Sequence, residues 1–547
     1  MALALMITLL VLVLSSVRRR QRKKALNLPP GPRGWPVLGS LGLLADALPP
    51  HRVLAKLAAR HGPLMHLRLG SFHVVVASSE ETARLVLKTH DHAFADRPPT
   101  SFGKIIGYGY QGIVQTPYGP YWRMARKLCA TELFSTQRID SFERARAQEM
   151  RALTRGLFER AGTVVHVKKH LLNLTMHNIV RMVLGEKWSP GSHSSEGDEA
   201  FQRCLKESFT VTGLLGNVGE WVPWLGWLDV QGWVRRMKRV YVLFDQFNEQ
   251  ILNEHQKDDR AAGAAGTSMD DMRFVDVLLQ LAEDGRLTRD GVKAFLLDII
   301  GGGTETAAAT MEWAIVELLR HPAAAAAATA ELDRVVGRGR WVAESDLPGL
   351  PYVEAVVKET MRLHTVAPLL IPHHAREDAV VAGYDVPAGT RLLVNMWAVG
   401  RDPASWPDEP DAFWPDRFLA GGSGEGVDVR GTHFRLLPFG SGRRMCPAYN
   451  LAMKEMVATV ANLVHGFEWR LPDGVAPEDL SMEEFFGLNV CRKEPLLALI
   501  SSSQIKDEHG FGTLHPMPLL HPYLISLFNL SLSPHTSLPS TVKLWPA

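Results

Sequence analysis

The stretch Leu436 to Tyr449, reading L-L-P-F-G-S-G-R-R-M-C-P-A-Y, limits what this chain can become more than any other. It sets one cysteine, Cys446, in a loop suited to holding a sulfur still. Gly440 and Gly442 open backbone angles closed to other residues and let the chain approach a flat ligand. Arg443 and Arg444 add positive charge for an anionic one. Cys446 is one of four cysteines (Cys129, Cys204, Cys446, Cys491), widely spaced and without a C-x-x-C pair, so neither a disulfide framework nor a zinc site is indicated and the compartment reads as reducing.

No Gly/Ser/Pro-rich linker divides the main body of the 547 residues, which argues for one large unit over residues 37–502. Residues 1–17 are almost wholly apolar and are followed at once by R-R-R-Q-R-K-K at 18–24. A secretory signal carries its charge first, so this order predicts an uncleaved membrane anchor with the body on the basic, cytoplasmic side; a removed signal peptide is the alternative. Residues 28–36, L-P-P-G-P-R-G-W-P, form a stiff spacer, so 18–36 reads as a basic stop and hinge. Outside the basic run the acidic residues slightly outnumber the basic ones, which does not suit a nucleic-acid binder. Residues 503–547, Pro-broken and aperiodic, predict a disordered extension.

Phe439, Gly442, Arg444 and Cys446 make up the pattern F-x-x-G-x-R-x-C, and by it the chain resembles a cytochrome P-450, a haem-thiolate monooxygenase. The resemblance implies haem b with Cys446 as iron ligand, a thiolate that favours O–O cleavage. Ala448 stands where the family usually has glycine. Trp122 and Arg126, four apart, share a helix face that suits a carboxylate. Alone they read as a packing aromatic beside a solvated arginine; the resemblance makes them haem-propionate partners. It also makes Pro368 to His373 a lining of the substrate pocket, with His373 a propionate partner, though a lone histidine near a proline is usually surface.

Thr288 to His321 carries a long helical pattern interrupted by Gly301, Gly302 and Gly303, then Thr304, Glu305 and Thr306. No strand and no G-K-[ST] context supports a phosphate loop. The resemblance reads G-G-T-E-T as a place where the helix opens for dioxygen, with Thr306 as hydrogen-bonding hydroxyl and Glu305 as proton relay. A kinked core helix is the plainer reading. Glu359 and Arg362 can pair at i,i+3, and the resemblance adds Arg417 as the third member of a buried ion network.

The implied fold is mainly α with small β-sheets, a hairpin over His66 to Ala77 among them, preceded by one transmembrane helix. The implied reaction places one oxygen atom of O2 in an apolar small molecule, a flavonoid or terpenoid of plant specialised metabolism, at the endoplasmic-reticulum membrane. No dinucleotide fingerprint occurs, so NADPH-derived electrons are expected through NADPH–cytochrome P-450 reductase, with cytochrome b5 as a second donor. A haem-thiolate isomerase or lyase acting on hydroperoxides and a non-catalytic haem-binding protein are the alternatives; Glu305 and Thr306 argue against the isomerase.

Overall fold

The computed structural model describes residues 26–44, 48–185, 195–213, 217–262 and 273–502. The anchor expected at 1–17, the basic run at 18–24 and the extension at 503–547 lie outside the described residues. Among the described residues no helix is long and apolar enough to cross a membrane.

Alternating residues around Gly70 and Ser71 form the expected hairpin of β1 (Leu64–Leu69) and β2 (Phe72–Ala77), antiparallel with Leu69 opposite Phe72. Helices then dominate: α1 (Pro120–Leu128), α2 (Val167–Leu184), α3 (Ser195–Val211), α4 (Arg289–Arg320), α5 (Pro351–Leu363) and α6 (Tyr449–Gly466) build the region around the site. Two short strands, β3 (His373–His374) and β4 (Arg391–Val394), complete a sheet of order β1-β2-β4-β3, in which β4 runs parallel to β2. A last hairpin, β5 (Glu484–Phe486) and β6 (Val490–Arg492), turns at Gly487–Asn489.

The central element is α4. Its residues are buried on every side, and it packs on α2, α5 and α6, as a helix apolar all round must. Thr288 caps its first turn by accepting from the Gly291 N–H at 2.9 Å, and His321 before Pro322 ends it. The expected interruption at the glycines does not occur: the helix is continuous from Arg289 to Arg320. Each glycine costs a helix about 1 kcal/mol against alanine, but packing holds this one closed. A Cβ on Gly303 would stand 2.9 Å from the Ile179 side chain, and one on Gly301 would touch Leu205 at 3.4 Å. Gly302 has nothing within 4 Å of that position. Space on the α4 wall therefore comes from a missing side chain, without opening of the backbone.

Candidate active site

A cavity of about 340 Å³ lies along α4 and reaches the loop before α6. Of the four cysteines only Cys446 lines it; the others are buried outside its wall. The loop has the geometry its glycines suggest. Gly440 and Gly442 take φ of 71° and 68°, and a Cβ on Gly442 would meet the Leu87 carbonyl oxygen at 2.4 Å. The Cys446 N–H donates to the Phe439 carbonyl at 2.9 Å, and Phe439 itself lines the cavity. Ala448, φ −94° and ψ 12°, sits in a conformation open to any residue, so alanine there is not strained. Burial pushes the Cys446 thiol up, against the opposite pull of the Ala448 N–H and the Arg126 guanidinium. A thiolate at this depth calls for a cation bound directly to it.

The cavity wall also concentrates positive charge. Arg97, Arg126 and Arg444 all line it, and Trp122 on α1 lies face-on to Arg444, 4.4 Å from guanidinium carbon to ring centre. Arg126, one turn after Trp122, has no carboxylate partner among the described residues. Arg444 donates from Nε to Ala95 O at 2.7 Å and from Nη2 to Thr116 O at 2.6 Å, while its buried Nη1 has no partner among the described residues. Burial lowers the pKa of all three guanidiniums, that of Arg444 to about 10. An orphaned guanidinium N–H, two further cations and a lone thiol suit a ligand with carboxylates at its edge and a metal at its centre, so the donor set fits haem.

Sequence reasoning missed Arg97. Within F-A-D-R-P-P only the following prolines mark it, yet its Nη1 holds the Ile371 and Pro372 carbonyls at 2.7 Å each. Three sequence-based expectations need correcting. Arg443 does not face the cavity: it is exposed and pairs with Asp91, pinning the outside of the loop. His373 does line the cavity, but its Nδ1 donates to the Phe94 carbonyl at 2.8 Å. Burial first, then Arg97 and Arg444, push its pKa down to about 3, so it is neutral with Nε2 an acceptor, the wrong polarity to hold a carboxylate. Glu305 is absent from the wall. One residue before Thr306, it points round α4 toward α2, where its buried carboxylate accepts from Lys168 Nζ at 2.9 Å. A buried carboxylate goes to the nearest cation.

Thr306 does line the cavity, and its hydroxyl donates to the Gly302 carbonyl at 2.8 Å. Leu488, in the β5–β6 turn, also reaches the wall.

On the far side of α5 the ion network forms as expected. Arg362 grips both oxygens of Glu359 at 2.7 Å, Arg417 donates to Glu359 Oε1 at 2.9 Å, and all three side chains are fully buried. The two arginines also bind the carbonyls of Asp408, Pro410 and Ala412, which fixes the chain leading to the cysteine loop. Glu359→Gln removes the one carboxylate that pairs with both buried guanidiniums and is expected to cost about 3–5 kcal/mol. Denaturant unfolding of the holoprotein measures this, and a loss below 1 kcal/mol would count against the network's structural role.

Residues 29–498 match the family model described as Cytochrome P450. The chain belongs to the cytochrome P450 family. It is 66% identical over 513 residues to trimethyltridecatetraene synthase of Zea mays, covering 91% of this chain and 92% of the relative. To dimethylnonatriene synthase of the same plant it is 64% identical over 510 residues, covering 91% and 96%. Flavonoid 3'-monooxygenase of Arabidopsis thaliana is more distant, 41% identical over 520 residues, covering 93% and 98%. A solved zebrafish cytochrome P450 with progesterone superposes at a TM-score of 0.70 and 27% identity, over 83% of this chain and all of that one. The protein is a haem-thiolate monooxygenase of the plant P450 type, its haem iron held by cysteine, using O2, an apolar substrate and a redox partner.

Proposed function

We propose that this P450 oxidises an acyclic, methyl-branched terpenoid. The observation that carries the reading is the 66% and 64% identity, over nine-tenths of the chain, to two enzymes named for methyl-branched polyenes. The cavity wall agrees with it: Phe102, Phe134, Ile179, Leu205, Phe209 and Leu297 are hydrocarbon, as a flexible apolar chain requires. A polyene of that kind contains no oxygen, so a product like it means that a carbon–carbon bond breaks and that oxygen leaves as water and in a second, carbonyl-bearing fragment.

Bound haem supplies O2 activation at a thiolate-ligated iron. In this reading Arg97, Arg126 and Arg444 hold its carboxylates, with Trp122 stacked to keep Arg444 in place. Phe439 and Gly442 shape the loop that presents Cys446. Thr306 offers a hydroxyl, bonded to the Gly302 carbonyl, on the same wall as the open Gly302 position. Glu305 reaches the cavity only by leaving Lys168, and His373 fixes the Phe94 carbonyl.

The apolar run at 1–17 and the basic residues behind it support a single-pass anchor in the endoplasmic reticulum with a cytoplasmic body, taking electrons from NADPH–cytochrome P450 reductase and cytochrome b5. Microsomes containing the chain and the reductase, offered acyclic terpenoids and flavonoids with NADPH, test this by mass detection. Terpenoid turnover is expected, and turnover of flavonoids alone would overturn the reading.

A further inference from the structure

Asp298 is a carboxylate in an apolar wall. It lies on α4, eight residues before Thr306, or about 12 Å along the axis at 1.5 Å per residue. Its Oδ2 accepts from the Ile113 N–H at 2.7 Å and the Val114 N–H at 2.9 Å, which ties the segment around residue 113 to the helix. The fit is tight: a Cβ on Gly112 would stand 2.1 Å from Oδ2, so a side chain there would displace the carboxylate. Oδ1 has no hydrogen bond among the described residues, no cation pairs with the group, and the side chain lines the cavity. Burial lifts its pKa to about 6 against the pull of the two backbone N–H groups, which leaves it mainly ionised at pH 7.

A charged oxygen without a donor in an apolar cavity is costly, and a ligand hydroxyl is the group that relieves it. A mere loop clamp needs one acceptor atom, and an asparagine would supply it; the second oxygen, facing the cavity, is what the clamp does not explain.

We propose that Asp298 is a specificity-determining residue that accepts a hydrogen bond from a hydroxyl on the substrate, so that the enzyme takes an acyclic terpenoid alcohol in preference to the corresponding hydrocarbon. This rests on the terpenoid reading above. An alcohol held there extends along α4 toward Thr306, and its hydroxyl selects which carbon stands at the reacting end.

The test compares farnesol with farnesene by the shift of the haem absorption band on titration into purified holoenzyme. The two ligands share the branched C15 skeleton; farnesene lacks the hydroxyl and carries one further double bond. Farnesol is expected to bind about tenfold or more tightly than farnesene, as a hydrogen bond to a charged group allows. In Asp298→Ala the ratio falls to about one, even if the loosened loop weakens both ligands. Asp298→Asn keeps an oxygen for the Ile113 and Val114 N–H groups, holds the fold, and is expected to give an intermediate ratio. Equal affinities in the wild type, or a ratio unchanged in Asp298→Ala, would overturn the anchor and leave the terpenoid reading standing. Binding of naringenin but of neither terpenoid would overturn both.

Discussion

Cys446→Ser is expected to abolish the thiolate signature in the carbon-monoxide difference spectrum and, with it, turnover. The loop fixes the backbone of residue 446 through the Cys446 N–H bond to Phe439 O and the two left-handed glycines, none of which involves the sulfur. Serine therefore enters the same backbone, and the arginine wall that fits the haem carboxylates is untouched. What changes is the donor: a serine hydroxyl is far less acidic than a thiol and gives iron no thiolate electron density. Pigment content should fall only in part while the spectral signature disappears entirely. A variant that retained the wild-type spectrum would move the iron ligand elsewhere, and no other cysteine lines the cavity.

The features legible in the sequence were those set by short-range constraints. The cysteine loop could be read because positive-φ glycines and a spaced arginine and cysteine are local in the chain. Helical spacing puts Trp122 and Arg126 on one face and lets Glu359 pair with Arg362, whereas the haem role of the first pair and the place of Arg417 come from the family resemblance. Arg97 escaped because what makes it a site residue is contact with Ile371 and Pro372, far away in sequence. Glu305 and His373 went astray for a related reason. Residue type and neighbourhood suggested a proton relay and a carboxylate partner, but a buried side chain is oriented by the nearest complementary group, here Lys168 and the Phe94 carbonyl. The unbroken α4 teaches the same lesson about backbone: three glycines lower helix propensity, and tertiary packing on both flanks overrides that preference.

Thr306→Val is expected to uncouple NADPH consumption from product formation. The Thr306 hydrogen is directed at the Gly302 carbonyl, which leaves the hydroxyl oxygen as an acceptor toward the open space beside Gly302. An acceptor there holds a proton-bearing water or substrate oxygen in line for transfer, and by turning it can become the donor. Valine keeps the volume and the β-branch but removes the oxygen, so haem uptake, fold and substrate binding should be nearly unchanged. Positioned proton transfer contributes typically ~10²–10⁴-fold, and that is the range in which product per NADPH should fall, with hydrogen peroxide released in its place. Thr306→Ser should restore much of the coupling. Glu305→Gln should instead act on stability, because it weakens the buried pair with Lys168. NADPH oxidation, peroxide and product measured together in the same reconstituted reaction decide the matter. Undiminished product per NADPH in Thr306→Val would make this residue an ordinary member of α4 and would place the proton path on another wall of the cavity.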